Sequence, residues 1–105
     1  MIEGLVSTPS VSSFDPDLDQ GNRAVIDLLA CWLEDAGCTV EVTPLENNPR
    51  KANLIATLGS GPGGLVLSGH TDTVPFDAGK WQYDPFAVTE ANQRLYGLGM
   101  ADMKA

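Results

Sequence analysis

The only histidine of the sequence, His70, stands at the end of a short apolar run, and a carboxylate, Asp72, follows two residues later. In extended backbone, residues i and i+2 project to the same side, so His70-Thr71-Asp72 sets an imidazole beside a carboxylate. The pair suits metal ligation: one ring nitrogen takes the ion, and the other donates its N–H to the carboxylate, which fixes the tautomer. His70 is then the candidate ligand and Asp72 the candidate orienting group. The plain alternative is that His70 ends a strand and hydrogen-bonds locally, with no ion involved.

Other chemically suggestive groups read more simply. Asp15, Asp17 and Asp19 precede a helical pattern, where carboxylates favour the positive end of the helix dipole; capping outweighs metal binding there. Gly59-Ser60-Gly61-Pro62-Gly63-Gly64 has the letters of a dinucleotide fingerprint, but that motif needs a strand before it and a helix after it. Here an apolar strand pattern follows, so a flexible connection is expected and nucleotide binding is rejected. Cys31 and Cys38 lack metal-type spacing and read as reduced, partly buried thiols, with a disulfide in a secreted form the weaker alternative.

The elements that must position His70 follow from periodicity. Leu65 to Ser68 is expected to be a buried strand delivering His70 and Asp72. Ile2, Leu5 and Val6 fit the last turns of a helix that Thr8-Pro9 ends. Between about Asp19 and Ala36, Val25, Leu28, Leu29, Trp32, Leu33 and Ala36 share one helical face, with Arg23, Asp27 and Glu34 opposite, and Gly37 suits the closing residue. Cys38 to Thr43 alternates as a half-exposed strand ended by Pro44, Glu46 to Lys51 reads as a loop, and Ala52 to Leu58 as a deeper strand. Asp84-Pro85 marks a turn, and Phe86 to Glu90 pairs with Arg94 to Tyr96 as a hairpin. Asp102-Met103-Lys104 has the look of a helix start, but a helix needs about 12 residues or tertiary packing to be stable, so none is expected within residues 1–105.

The composition, 43% hydrophobic and 19% charged over 105 residues, is globular and sized for one small domain. A formal charge of −8, with no Lys or Arg run, argues against nucleic acid and anionic membranes as partners. No apolar segment is long enough to span a bilayer and the N-terminus has no signal-like core, so a cytoplasmic location is the default expectation.

Two motifs in order, His70-Thr71-Asp72 and Gly97-Leu98-Gly99-Met100-Ala101-Asp102-Met103-Lys104, make the sequence resemble the M20 metallopeptidase family. Thr8-Pro9-Ser10, the block from Ser68 to Phe76, Trp81 and Asp84-Pro85-Phe86 extend the likeness along nearly the whole chain, which is most similar to the branch that deacetylates N2-acetylornithine in arginine biosynthesis. The resemblance implies an α/β fold: the N-terminal part of a zinc-aminopeptidase-like catalytic domain, with a mixed sheet and flanking helices. It also implies two divalent ions, zinc or cobalt, with His70 on one metal, Asp72 orienting it and Asp102 bridging both. The activity implied is metal-dependent hydrolysis of a small N-acyl amino acid. Desuccinylases of succinyl-diaminopimelate and aminoacylases are the alternatives within the family, and a non-catalytic binding remnant is the alternative outside it.

The family usually carries glycine where Ala105 stands. Its Glu-Glu pair, a further acidic ligand and a distant histidine have no match in the chain. Residues 1–105 are therefore expected to be an incomplete catalytic domain without the dimerisation domain, inactive alone, with a homodimer expected only of the complete protein. Exposed sheet edges and poorly cooperative unfolding are expected with it.

Overall fold

A computed structural model describes residues 1–105. Its regular elements are α1 (Ile2–Val6), α2 (Arg23–Asp35), β1 (Thr39–Leu45), β2 (Asn48–Thr57), β3 (Thr89–Ala91) and β4 (Arg94–Tyr96). The fold is a small mixture of short helices and antiparallel strands: β1 pairs with β2, β3 pairs with β4, and one parallel bridge joins Val11 to Thr73.

Helix α2 packs against the β1–β2 hairpin, and Leu28 and Trp32 of its apolar stripe approach Gly4 of α1. Val25 and Ile26 are its buried residues, each side chain contributing about 1.5–3 kcal/mol when fully removed from water. The helix begins later than the periodicity suggests because Gly21 adopts φ +74°, a left-handed turn pressed so close to Arg50 that a Cβ would lie 2.6 Å from its carbonyl oxygen. Its end matches the expectation at Gly37: φ is +89°, Gly37 N–H donates to Glu34 O and Cys38 N–H to Leu33 O, the two bonds of a Schellman closure.

The acidic cluster does not cap α2, whose first turn holds no carboxylate. Asp19, with its side chain only 7% exposed, instead accepts from Ser13 N–H and from Lys51 Nζ at 2.6 Å. The lysine hydrogen bond, backed by the Ser13 amide, holds its carboxyl below the usual 3.8. A partner on β2, distant in sequence, thus outcompetes the helix dipole.

Other expectations are corrected. Pro44 does not end β1; the strand runs on to Leu45 with a shift in register at Pro44/Leu45, and β2 begins at Asn48 rather than after a loop. β2 is not deep: Ala52 is buried, but Ile55 is exposed, because only one face of the hairpin meets α2. Cys31 is exposed rather than partly buried, and both cysteines are free.

The largest correction concerns Leu65 to Ser68. It is not a buried strand: Leu65, Val66 and Leu67 are 84%, 89% and 86% exposed, and no strand ladder pairs with them. Apolar character alone does not make a strand; its N–H and C=O groups need a neighbour, and β1 and β2 are engaged with each other. Only at Thr73 does the segment find one, in Val11.

Candidate metal centre

The stretch around His70 is fixed from the N-terminal side. Thr73 N–H donates to Ser10 O at 3.0 Å, Ser12 N–H donates to Thr73 O at 2.9 Å, and Ser10 Oγ donates to Thr71 O at 2.5 Å. Asn22, at the start of α2, adds a third tie: its amide bonds both Ala52 N–H and Ala52 O, and reaches Thr71 Oγ1 at 3.3 Å. One amide side chain therefore joins α2, β2 and the residue next to His70.

Asp102 arrives by a different route. The β3–β4 hairpin turns at Asn92 and Gln93, both left-handed, and delivers the chain to Gly97. Gly99, at φ +77°, then reverses direction against Thr73, where a Cβ would meet Thr73 Cγ2 at 2.6 Å. Residues Met100–Lys104 do not start a regular helix: Asp102 and Met103 lie outside helical φ/ψ, and the Asp102–Met103 peptide is cis. The main-chain N–H groups of Asp102 and Lys104 both donate to Gly99 O, closing an irregular turn.

That turn brings all three predicted site residues together. His70 Nε2 lies 2.9 Å from Asp102 Oδ1, and His70 Nδ1 lies 3.3 Å from both the main-chain oxygen and Oδ1 of Asp72. The ring is flanked by acceptors on both nitrogens, and only the imidazolium can donate to both. The Asp102 hydrogen bond accordingly holds the His70 pKa above the usual 6.5, with partial burial opposing and Asp72 reinforcing.

The same arrangement fits a divalent cation. A cation on Nε2 would replace one proton, leaving Nδ1–H on Asp72, which is the usual support for a ligating histidine. Two donors each about 2.1 Å from one ion at a tetrahedral angle lie roughly 3.4 Å apart, about 0.5 Å wider than the observed pair. The Asp102 side chain, 84% exposed, has room for that adjustment. No group of three or more His, Cys, Asp or Glu side chains placed to hold an ion forms within the chain.

The three residues open on a cleft of about 440 Å³ that is also lined by Thr73, Trp81 and Tyr96. Trp81 is set by an edge-on contact with Phe76, which packs in turn on Phe86, and Tyr96 is set by Tyr83. Sequence reasoning did not single out Ser10, Asn22, Thr73 or Lys104 as supports. Ser10, Thr73 and Lys104 lie within the motif blocks and Asn22 outside them, but no local spacing marks any of the four as a support, because their partners are distant in the chain.

Residues 66–105 match peptidase family M20/M25/M40. Over 104 residues the chain is 57% identical to an acetylornithine deacetylase of Pasteurella multocida (strain Pm70), covering 99% of the chain and 27% of that protein. It is 60% identical over 100 residues to the acetylornithine deacetylase of Aliivibrio fischeri (strain MJ11) and 58% to that of Proteus mirabilis (strain HI4320), covering 95% of the chain and 26% of each relative. The chain thus spans about a quarter of the length of the curated relatives it matches.

Proposed function

We propose, from the premise that this is M20-family sequence, that residues 1–105 supply part of the metal centre of a hydrolase that removes the acetyl group from an N-acetyl amino acid, with N2-acetylornithine the leading substrate. The observation that carries this reading is the line Asp72–His70–Asp102, one imidazole held between two carboxylates at the mouth of a cleft. Arginine biosynthesis is the corresponding metabolic setting, and the free thiols of Cys31 and Cys38 fit a reducing, cytoplasmic one. A homodimer belongs to this reading for the complete enzyme only.

Each side chain has a definable task. Asp72 accepts from Nδ1–H and would so leave the Nε2 lone pair for a cation in place of the second ring proton. Asp102 places its exposed carboxylate beside Nε2, where it would serve as a ligand shared between two cations. Trp81 and Tyr96 wall the cleft and restrict water around a bound acyl group. A pair of zinc or cobalt ions bound there would polarise the amide carbonyl and lower the pKa of a water molecule. His70 and Asp102 would hold them together with ligands that these residues do not provide, since a catalytic zinc normally takes three protein ligands.

The test is acetate release from N2-acetylornithine by the full natural polypeptide carrying this sequence, with and without cobalt or zinc, alongside N-succinyl-diaminopimelate and other N-acetyl amino acids. Metal-dependent hydrolysis of the first substrate is expected. Hydrolysis confined to another substrate would move the assignment within the family, and none with any would refute it. A second reading is a non-catalytic module that binds one ion weakly. It predicts one bound ion and no turnover in the natural polypeptide.

A further inference from the structure

Both donors of the site hang from one short stretch, Leu5 to Ser12. His70 does so through Thr71 and Thr73, bonded to Ser10 and Ser12. Asp102 does so through Lys104, whose Nζ donates to Leu5 O in α1 at 2.9 Å and to Thr8 O, just past its end, at 2.8 Å. Lys104 is only 4% exposed, and these main-chain carbonyls are its hydrogen-bond partners.

Burying an ammonium against carbonyls is a poor way to fill space, because the charge loses its hydration and an apolar side chain would pack without that penalty. What the ammonium adds is direction. Two fixed acceptors define where the end of Lys104 sits, and the Asp102 and Lys104 amides share Gly99 O, so the turn moves as a unit with that anchor. From the same turn, the Met103 methyl lies so near Gly69, the residue before His70, that a Cβ there would meet it at 3.2 Å.

We propose that Lys104 is a positioning residue that keeps the Asp102 carboxylate opposite His70 for a shared cation, by tying its turn to the segment that also holds Thr71 and Thr73. The proposal rests on the reading of His70 and Asp102 as metal ligands. Supports of ligating groups typically change metal affinity by about 10- to 100-fold when removed.

The experiment is cobalt binding to the full natural polypeptide, followed by chelator competition and by the visible absorption of bound cobalt, for the wild type, Lys104→Met and Lys104→Arg. The expected result is a folded Lys104→Met protein with cobalt affinity about 10- to 100-fold lower and an altered cobalt spectrum, and partial recovery in Lys104→Arg. Unchanged affinity and spectrum in Lys104→Met would overturn the proposal while leaving the metal reading intact; absence of cobalt binding by the wild type would remove both.

Should Lys104→Met fail to fold, amine acetylation of the wild type, read residue by residue by mass spectrometry, decides. Binding and anchoring are reciprocally linked, so cobalt must slow modification of Lys104 and leave Lys80, 82% exposed, unaffected. Equal rates at Lys104 with and without cobalt would overturn the proposal.

Discussion

Replacing Asp72 by alanine separates the two ways in which a carboxylate supports a ligating histidine. Removing such a support typically lowers metal affinity by about 10- to 100-fold. In this site His70 Nδ1 faces two acceptors at the same 3.3 Å, the Asp72 carboxylate and the Asp72 main-chain oxygen. Alanine removes only the first. The carbonyl still accepts the Nδ1 proton and still fixes the tautomer, so the loss should fall at the low end, about tenfold or ~1.4 kcal/mol.

Folding stability should change by less than about 0.5 kcal/mol, because the Asp72 side chain is 56% exposed. Cobalt affinity measured by chelator competition, paired with thermal unfolding of the metal-free protein, resolves the two quantities. An affinity loss as large as that of His70→Ala would show that the main-chain carbonyl does not hold the ring. Unchanged affinity would show that Asp72 has no orienting role.

Gly99→Ala should cost about 1–2 kcal/mol for its left-handed backbone and about 1–3 kcal/mol more for the contact with Thr73 Cγ2. The second part should vanish in a Thr73→Ser background, so a double-mutant cycle by urea denaturation that gives strictly additive effects would contradict the packing described. For His70 the folded pKa is raised, so its stabilising contribution is complete below 6.5 and disappears as pH rises through the folded value; an NMR titration should show Asp102→Asn bringing that midpoint down. For Asp19 the shift is opposite: its contribution is present above 3.8 and is lost as pH falls through the lowered folded value, and Lys51→Met should weaken this acid sensitivity in pH-dependent unfolding. Residues 1–105 alone, given zinc or cobalt, should release no acetate from N2-acetylornithine, since two donors do not complete a catalytic site; measurable turnover would refute that.

Local patterns carried much of the fold. The helix carrying Val25 to Leu33, the Gly37 closure and the return of Arg94 to Tyr96 onto the preceding strand depend on neighbours a few residues away, and the structure contains each of them, although that strand is Thr89–Ala91 rather than Phe86 to Glu90 and Ala91 pairs with Arg94 instead of lying in the turn. Leu65 to Ser68 forms no strand because its apolar run reports an affinity for burial, whereas a strand also needs a partner, and none of β1 to β4 pairs with it. Asp19 was misplaced for a related reason: helix-start rules weigh the local dipole, and Lys51, 32 residues away, took the carboxylate instead. In the site, His70 and Asp72 were legible from a two-residue spacing. Asp102 came only through family resemblance, and its approach to His70 depends on Gly99 turning against Thr73. Lys104 and Asn22 act across the chain, where no spacing rule reaches.

The central claim is that His70 and Asp102 share a cation, and the most direct measurement is an anomalous difference map at the zinc edge from crystals of the natural polypeptide grown with zinc. The account predicts a peak about 2.0–2.2 Å from both His70 Nε2 and an Asp102 carboxylate oxygen, with Asp72 on the far side of the ring. Zinc bound elsewhere, or none while Nε2 remains hydrogen-bonded to Asp102, would contradict it.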